Sequence, residues 1–136
     1  MLNPYLFYND NCEAAFRFYE KVLGGKIEMM LRADEGPEDM KPGPGREKLI
    51  MHARMSIGSQ VLMASDSPPE HFQKPQGFAV SLTVADPVEA ERKFNALAEG
   101  GSLNMPFGKT FFSKGFGMCI DKFGIPWMVN SPLQGM

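Results

Sequence analysis

The chain repeats itself. Asp10, Glu13, Ala14, Phe18 and Gly24-Gly25 recur in the same order as Asp86, Glu89, Ala90, Phe94 and Gly100-Gly101, at a constant offset of 76 residues. Each position has the chemistry of a helix start, a helix core or a helix stop, so the repeat is one of structural units. A chain of 136 residues then reads as two small modules of one design. The boundary is expected in the polar, proline-rich connector Asp66–Gln76, which gives modules of about 1–66 and 77–136.

Each module reads as strand, helix, strand, strand, strand. Asn3–Tyr8 is apolar and aromatic, the pattern of a first strand. Asp10 and Glu13 have capping-box spacing. Ala15, Phe18, Tyr19 and Val22 then form one apolar helix stripe, which Gly24-Gly25 ends. Lys26–Leu31 is the second strand, and Arg32–Arg46, rich in Gly and Pro, is a long loop. Glu47–Ile57 and Gln60–Ala64 follow as strands around the tight turn Gly58-Ser59. In the second module Phe78–Val84 is a strand. Asp86 and Glu89 repeat the capping box with Pro87 at the first helical position. Ala90, Phe94 and Leu97 form the stripe, and Ser102–Met105 begins the next strand.

A sheet packs its apolar face on the helix layer. Val80, Leu82 and Val84 therefore belong under the helix, and Ala79, Ser81 and Thr83 on the opposite face; by the repeat, Asn3, Tyr5 and Phe7 lie on that opposite face too. The expected fold is α+β: two βαβββ modules in tandem, with curved mixed sheets that face each other around a concave pocket. Such a pocket is a usual place for a small molecule.

Composition narrows the classes. A net charge of −2 gives no basic surface for nucleic acid. No apolar run is long enough to span a membrane, and the first residues lack the pattern of a secretory signal, so a cytoplasmic protein is expected. Cys12 and Cys119 form neither a CxxC pair nor a cluster with histidine. Cys12 in a first helical turn is open to activation by the helix dipole, or it is a small apolar filler.

The most specific stretch is Thr110–Asn130, TFFSKGFGMCIDKFGIPWMVN. Two apolar runs, Gly117–Ile120 and Ile125–Val129, flank Asp121-Lys122-Phe123-Gly124 as a hairpin. With the repeat, this stretch resembles the vicinal oxygen chelate superfamily of glyoxalases, bleomycin- and fosfomycin-resistance proteins and extradiol dioxygenases. Met51-His52-Ala53, Thr110-Phe111-Phe112 and the run Asp121–Met128 are similar to its PhnB-like branch, where Phe112 replaces a common Trp. Members of that branch have carried a demethylubiquinone methyltransferase label. The chain has no Gly-rich strand-to-helix turn for a nucleotide-like cofactor, so methyl transfer is not expected.

The resemblance implies metal-ligand positions at Asn3 (Pro4 if the register slips by one), Leu62, Ala79 and Met128. A divalent metal wants imidazole nitrogen and carboxylate oxygen, which these residues do not supply, so neither metal nor cofactor is expected. The resemblance also implies a homodimer. The pocket is expected to draw on Tyr5, Phe7, His52, Arg54, Leu62, Ala79, Ser81, Phe111 and Met128.

His52 shares a strand face with Arg54, away from the helix side. It is either a pocket acid/base or a structural histidine. His71, Lys114 and Lys122 read as solvated. Phe111, Phe112, Phe116 and Trp127 form either an aromatic wall or core, and strand alternation sends Trp127 to the core if Met128 faces the pocket. Three functions stay open: a metal-free small-molecule-binding protein, an enzyme using His52 or a metal on an unexpected ligand set, and a structural or regulatory dimer.

Overall fold

The computed structural model describes residues 1–133. The elements in order are β1 (Tyr5–Tyr8), α1 (Cys12–Leu23), β2 (Lys26–Arg32), β3 (Ile50–Ile57), β4 (Gln60–Asp66), β5 (Val80–Thr83), α2 (Pro87–Ala98), β6 (Ser102–Thr110), β7 (Ser113–Ile120) and β8 (Pro126–Pro132). Two four-stranded sheets form, ordered β1-β4-β3-β2 and β5-β8-β7-β6. In each, the first strand pairs parallel with the last and the other pairs are antiparallel. The chain divides into two compact units between Gln73 and Lys74, inside the connector. No helix among the described residues is long and apolar enough to cross a membrane.

In the first unit α1 covers one face of its sheet. It buries Cys12, Ala15, Phe16, Tyr19 and Leu23 on the side where Leu6, Tyr8, Ala53, Met55, Leu62 and Ala64 are also buried. The expected stripe is rotated: Phe18 and Val22 are only partly buried, and Phe16 and Leu23 take the core positions. The cause lies at the helix start. Asp10 has a left-handed backbone, φ 77°, and the cap residue is Asn11, whose side chain makes no capping bond. The expected Asp10–Glu13 box does not form. Asp66, at the end of β4, stands in for it, accepting from the Cys12 N–H at 3.0 Å and the Ile50 N–H at 2.8 Å. Burial pushes the Asp66 carboxyl above its ordinary range, against those two bonds. Glu13 turns to the Arg32 guanidinium, with contacts of 2.8 and 2.9 Å, which hold its carboxyl below the ordinary value.

These shifts re-register the repeat. The open-face residues of the first strands (Tyr5 with Ser81, Phe7 with Thr83), the starts of the second strands and the helix-stopping glycines match at an offset of 76. Helix burial matches at 75, pairing Ala15 with Ala90 and Tyr19 with Phe94. One residue is inserted before α1, where Asp10 is left-handed, and one, Glu99, after α2. Between β2 and β3, strand pairing gives out early. Ala33 and Asp34 donate to the carbonyls of Leu49 and Glu47 outside the ladder, so β3 starts at Ile50 and not at Glu47.

In the second unit α2 buries Ala90, Phe94 and Leu97 as expected, on the side that holds Cys119, Trp127 and Val129. Asp86 accepts from the Val88 N–H, while Glu89 pairs with Arg92 and does not complete the box. Two glycines permit close packing. A Cβ on Gly117 would lie 2.8 Å from the Phe94 ring, and one on Gly101 would lie 2.0 Å from the Ile120 carbonyl oxygen. The Asp121–Gly124 turn closes through Gly124, φ 92°, whose N–H donates to the Asp121 carbonyl.

Both cysteines are core. Cys12 and Cys119 are 0% and 1% exposed. Burial pushes the Cys119 thiol up to about 11 and the Cys12 thiol higher still, so activation by the helix dipole does not prevail. The thiolate is the reactive form. Neither cysteine should therefore react with Ellman's reagent at pH 7.5 until denaturant is added, and rapid native labelling would contradict this packing.

Candidate ligand-binding faces

Each sheet has one face covered by its own helix and one that is not. The uncovered face of the first sheet carries the residues at issue. Strand register sets Tyr5 beside Met63, Met63 beside Arg54, and Arg54 beside Met29; a second row sets Phe7 beside Ser65 and His52 beside Leu31. Tyr5 and Phe7 are 37% and 54% exposed, with ring centroids 5.1 Å apart. The Tyr5 hydroxyl is 3.3 Å from His52 Nδ1, and the two rings stack at 5.8 Å with 29° between planes. Tyr5, Phe7, His52 and Arg54 thus share one face, as alternation requires.

Leu62 does not join them. It is 3% exposed and pairs with Met55 on the helix side. The residue at that position on the open face is Met63, which stands beside Tyr5 as Met128 stands beside Ser81. The position that the resemblance implies for Leu62 therefore falls on Met63, one residue further along β4. β4 is apolar on both faces (Val61, Met63 against Leu62, Ala64), so its sequence carries no alternation to fix the register.

On the second sheet Ser81, Met128 and Met118 form one row, and Thr83, Asn130 and Phe116 the next. A cleft of about 550 Å³ opens at the start of β5 and β8, lined by Phe78, Ala79, Asn104, Met118 and Met128 among others. Asn130 Oδ1 is buried and has no hydrogen-bond partner among the described residues, a costly state for an amide oxygen. Phe111 stands apart, 94% exposed at the β6–β7 turn. Phe111, Phe112 and Phe116 form an edge-to-face series with 5.2 Å steps. Trp127 is outside it: 2% exposed, its indole N–H donates to Asp121 Oδ2 at 2.9 Å.

The first unit has another cleft, of about 540 Å³, on the α1 side around Asp10, Glu13, Arg17, Lys48 and Asp66. Of its charges Glu13 and Arg17 pair with each other, Lys48 pairs with Asp34 and Asp66 accepts from backbone N–H groups; the cleft contains no expected site residue. His71 is exposed in a short turn.

The implied metal positions become Asn3, Met63, Ala79 and Met128, which offer one amide oxygen and two thioethers. No group of three or more His, Cys, Asp or Glu side chains among the described residues is placed to hold a metal. The donor set does not fit a divalent cation of the kind that imidazole and carboxylate bind.

The family model described as 3-demethylubiquinone-9 3-methyltransferase matches residues 1–130. Protein YjdN of Escherichia coli K12 is 34% identical over 95% of this chain and 93% of its own. The solved structure of protein PA1353 from Pseudomonas aeruginosa is 48% identical, with TM-score 0.89 and 96% of each chain covered. A PhnB protein from Bacillus cereus is 29% identical, with TM-score 0.80 over 95% of this chain and 97% of that one. The fosfomycin resistance protein FosX from Mesorhizobium loti, 9% identical with TM-score 0.63 over 98% of this chain and 92% of that one, shares the fold. The chain belongs to the 3-demethylubiquinone-9 3-methyltransferase family, is similar to a PhnB protein, and shares its fold with fosfomycin-resistance proteins of the vicinal oxygen chelate type.

Proposed function

We propose that the protein binds a small molecule on its open sheet faces without a metal ion, and works as a cytoplasmic homodimer. The observation that carries this reading is the open face of the first sheet, where Tyr5 and Phe7 expose aromatic surface beside His52 and Arg54. Apolar floor with a few fixed polar groups is the usual make-up of a ligand site. The cleft that includes Ala79 and Met128 adds a second such surface. Methyl transfer, the activity in the family's description, has no support in the strand-to-helix links. Asn9-Asp10-Asn11 and Val84-Ala85-Asp86 contain no glycine, so neither resembles the loop that cradles a nucleotide-like cofactor. Support for the dimer is the edge strand β6, with Leu103 and Met105 57% and 43% exposed; such edges call for a cover.

The test is a thermal-shift screen of small molecules, repeated with EDTA and with added divalent metals. Midpoints raised by a ligand should survive EDTA, and protein purified without chelator should hold well under one divalent metal per chain. Shifts abolished by EDTA and restored by a metal would move the reading to a metal enzyme.

One observation favours a second reading. The Tyr5 hydroxyl lies 3.3 Å from His52 Nδ1, a pair able to pass a proton at a bound ligand. In that case a ligand found in the screen would be chemically altered by the protein, and His52→Gln would stop the change even at ligand concentrations that saturate the variant.

A further inference from the structure

Four arginines, Arg17, Arg32, Arg46 and Arg92, each lie within 4 Å of a glutamate. Arg54 does not. It has no ion pair and no side-chain hydrogen bond among the described residues. It is also partly buried, on an interior strand, between Met63 and Met29. Glu28, on the adjoining strand, accepts instead from the Ser56 hydroxyl at 2.8 Å. A guanidinium set on apolar ground loses hydration, and here no protein counter-charge offsets the loss. Its planar fork is matched to an oxyanion.

The surroundings specify what carries that oxyanion. Tyr5 and His52 already stack at 5.8 Å, and Phe7 extends the surface. The thioethers of Met29 and Met63 flank Arg54, and methionine sulfur contacts aromatic rings favourably. We infer that the first module's open face selects a planar aromatic oxyanion, with Arg54 taking the charge and Tyr5, His52 and the two methionines taking the ring. This rests on the open face being the binding surface, and names the class of ligand that it prefers. Ser65, beside Phe7 in the neighbouring row, is a polar group of the same face.

The experiment titrates three probes, benzoate, phenyl phosphate and the neutral isostere benzamide, into ¹³C-methyl-methionine protein. Wild type, Arg54→Gln and Arg54→Lys are compared. In wild type, benzoate or phenyl phosphate should shift the Met29 and Met63 methyl signals, and whichever binds more tightly identifies the oxyanion. Affinity should exceed that of benzamide by about tenfold or more, the size of one charge-assisted hydrogen bond. Arg54→Gln should remove that preference, bringing benzoate and phenyl phosphate down to about the affinity of benzamide. Arg54→Lys keeps the charge but not the fork, and should fall between. Equal binding of all three probes, unaffected by either substitution, would overturn the inference and leave the open face as an apolar binding surface. Methyl shifts absent from Met29 and Met63 with every probe would overturn both.

Discussion

Trp127→Ala is expected to lower the unfolding free energy by about 3–5 kcal/mol, in the range for large buried aromatics. The indole is 2% exposed on the face of β8 that α2 covers, next to Cys119 on β7 and Val80 on β5. Its loss leaves a cavity with β-sheet on two sides, which backbone ladders keep from collapsing. Denaturant unfolding checks the number. His52→Ala is the contrast. Its one bond, to the Tyr5 hydroxyl, is 3.3 Å long and exposed, so the cost should be about 1 kcal/mol or less. Equal, large losses from both substitutions would make His52 structural.

Asp121→Ala is expected to be about as damaging, for a different reason. The Asp121 side chain is the acceptor for three donors. Oδ1 takes the N–H groups of Phe123 and Ile125 at 2.9 and 3.0 Å, and Oδ2 takes the Trp127 indole N–H at 2.9 Å. At 2% exposure water does not replace it. Each buried donor left alone costs about 1–3 kcal/mol, and Phe123 is partly exposed, so the total should be about 3–5 kcal/mol. Because the carboxylate and the indole are bonded, losses from Asp121→Ala and Trp127→Phe should be markedly non-additive in a double-mutant cycle. Simple additivity would mean that the bond adds nothing to the turn.

That turn explains why one stretch of sequence identified the fold so well. Asp121 and Gly124 are separated by a fixed step because a single carboxylate must reach two backbone donors while the glycine turns the chain at positive φ. Trp127 follows because its ring nitrogen must reach the same carboxylate. Where local chemistry fixes geometry in this way, residue type and spacing are readable without coordinates. The same holds for Val80, Leu82 and Val84, whose alternation assigns Ser81 and Thr83 to the open side.

The α1 start was not legible, because its cap comes from 54 residues away in sequence, at Asp66. Asp10 and Glu13 had the right spacing for a local cap, but a tertiary partner displaced it, and Arg32 took Glu13. Once the helix began one residue later, Phe16 and Leu23 replaced Phe18 and Val22 in the core. The slip from Met63 to Leu62 has another origin: a strand apolar on both faces carries no alternation to read. Arg54 was placed on the open face by alternation. That it lacks a partner there is a fact of three dimensions, since any of the chain's glutamates was a candidate in sequence.

The most direct test is a crystal structure of the protein with a ligand that survives the EDTA arm of the screen. The ligand should lie on an open sheet face, against Tyr5, Met63 and Arg54 or against Ala79 and Met128, with no metal between it and the protein. A ligand seated in the charged cleft beside α1, or one held through a metal ion, would contradict the account.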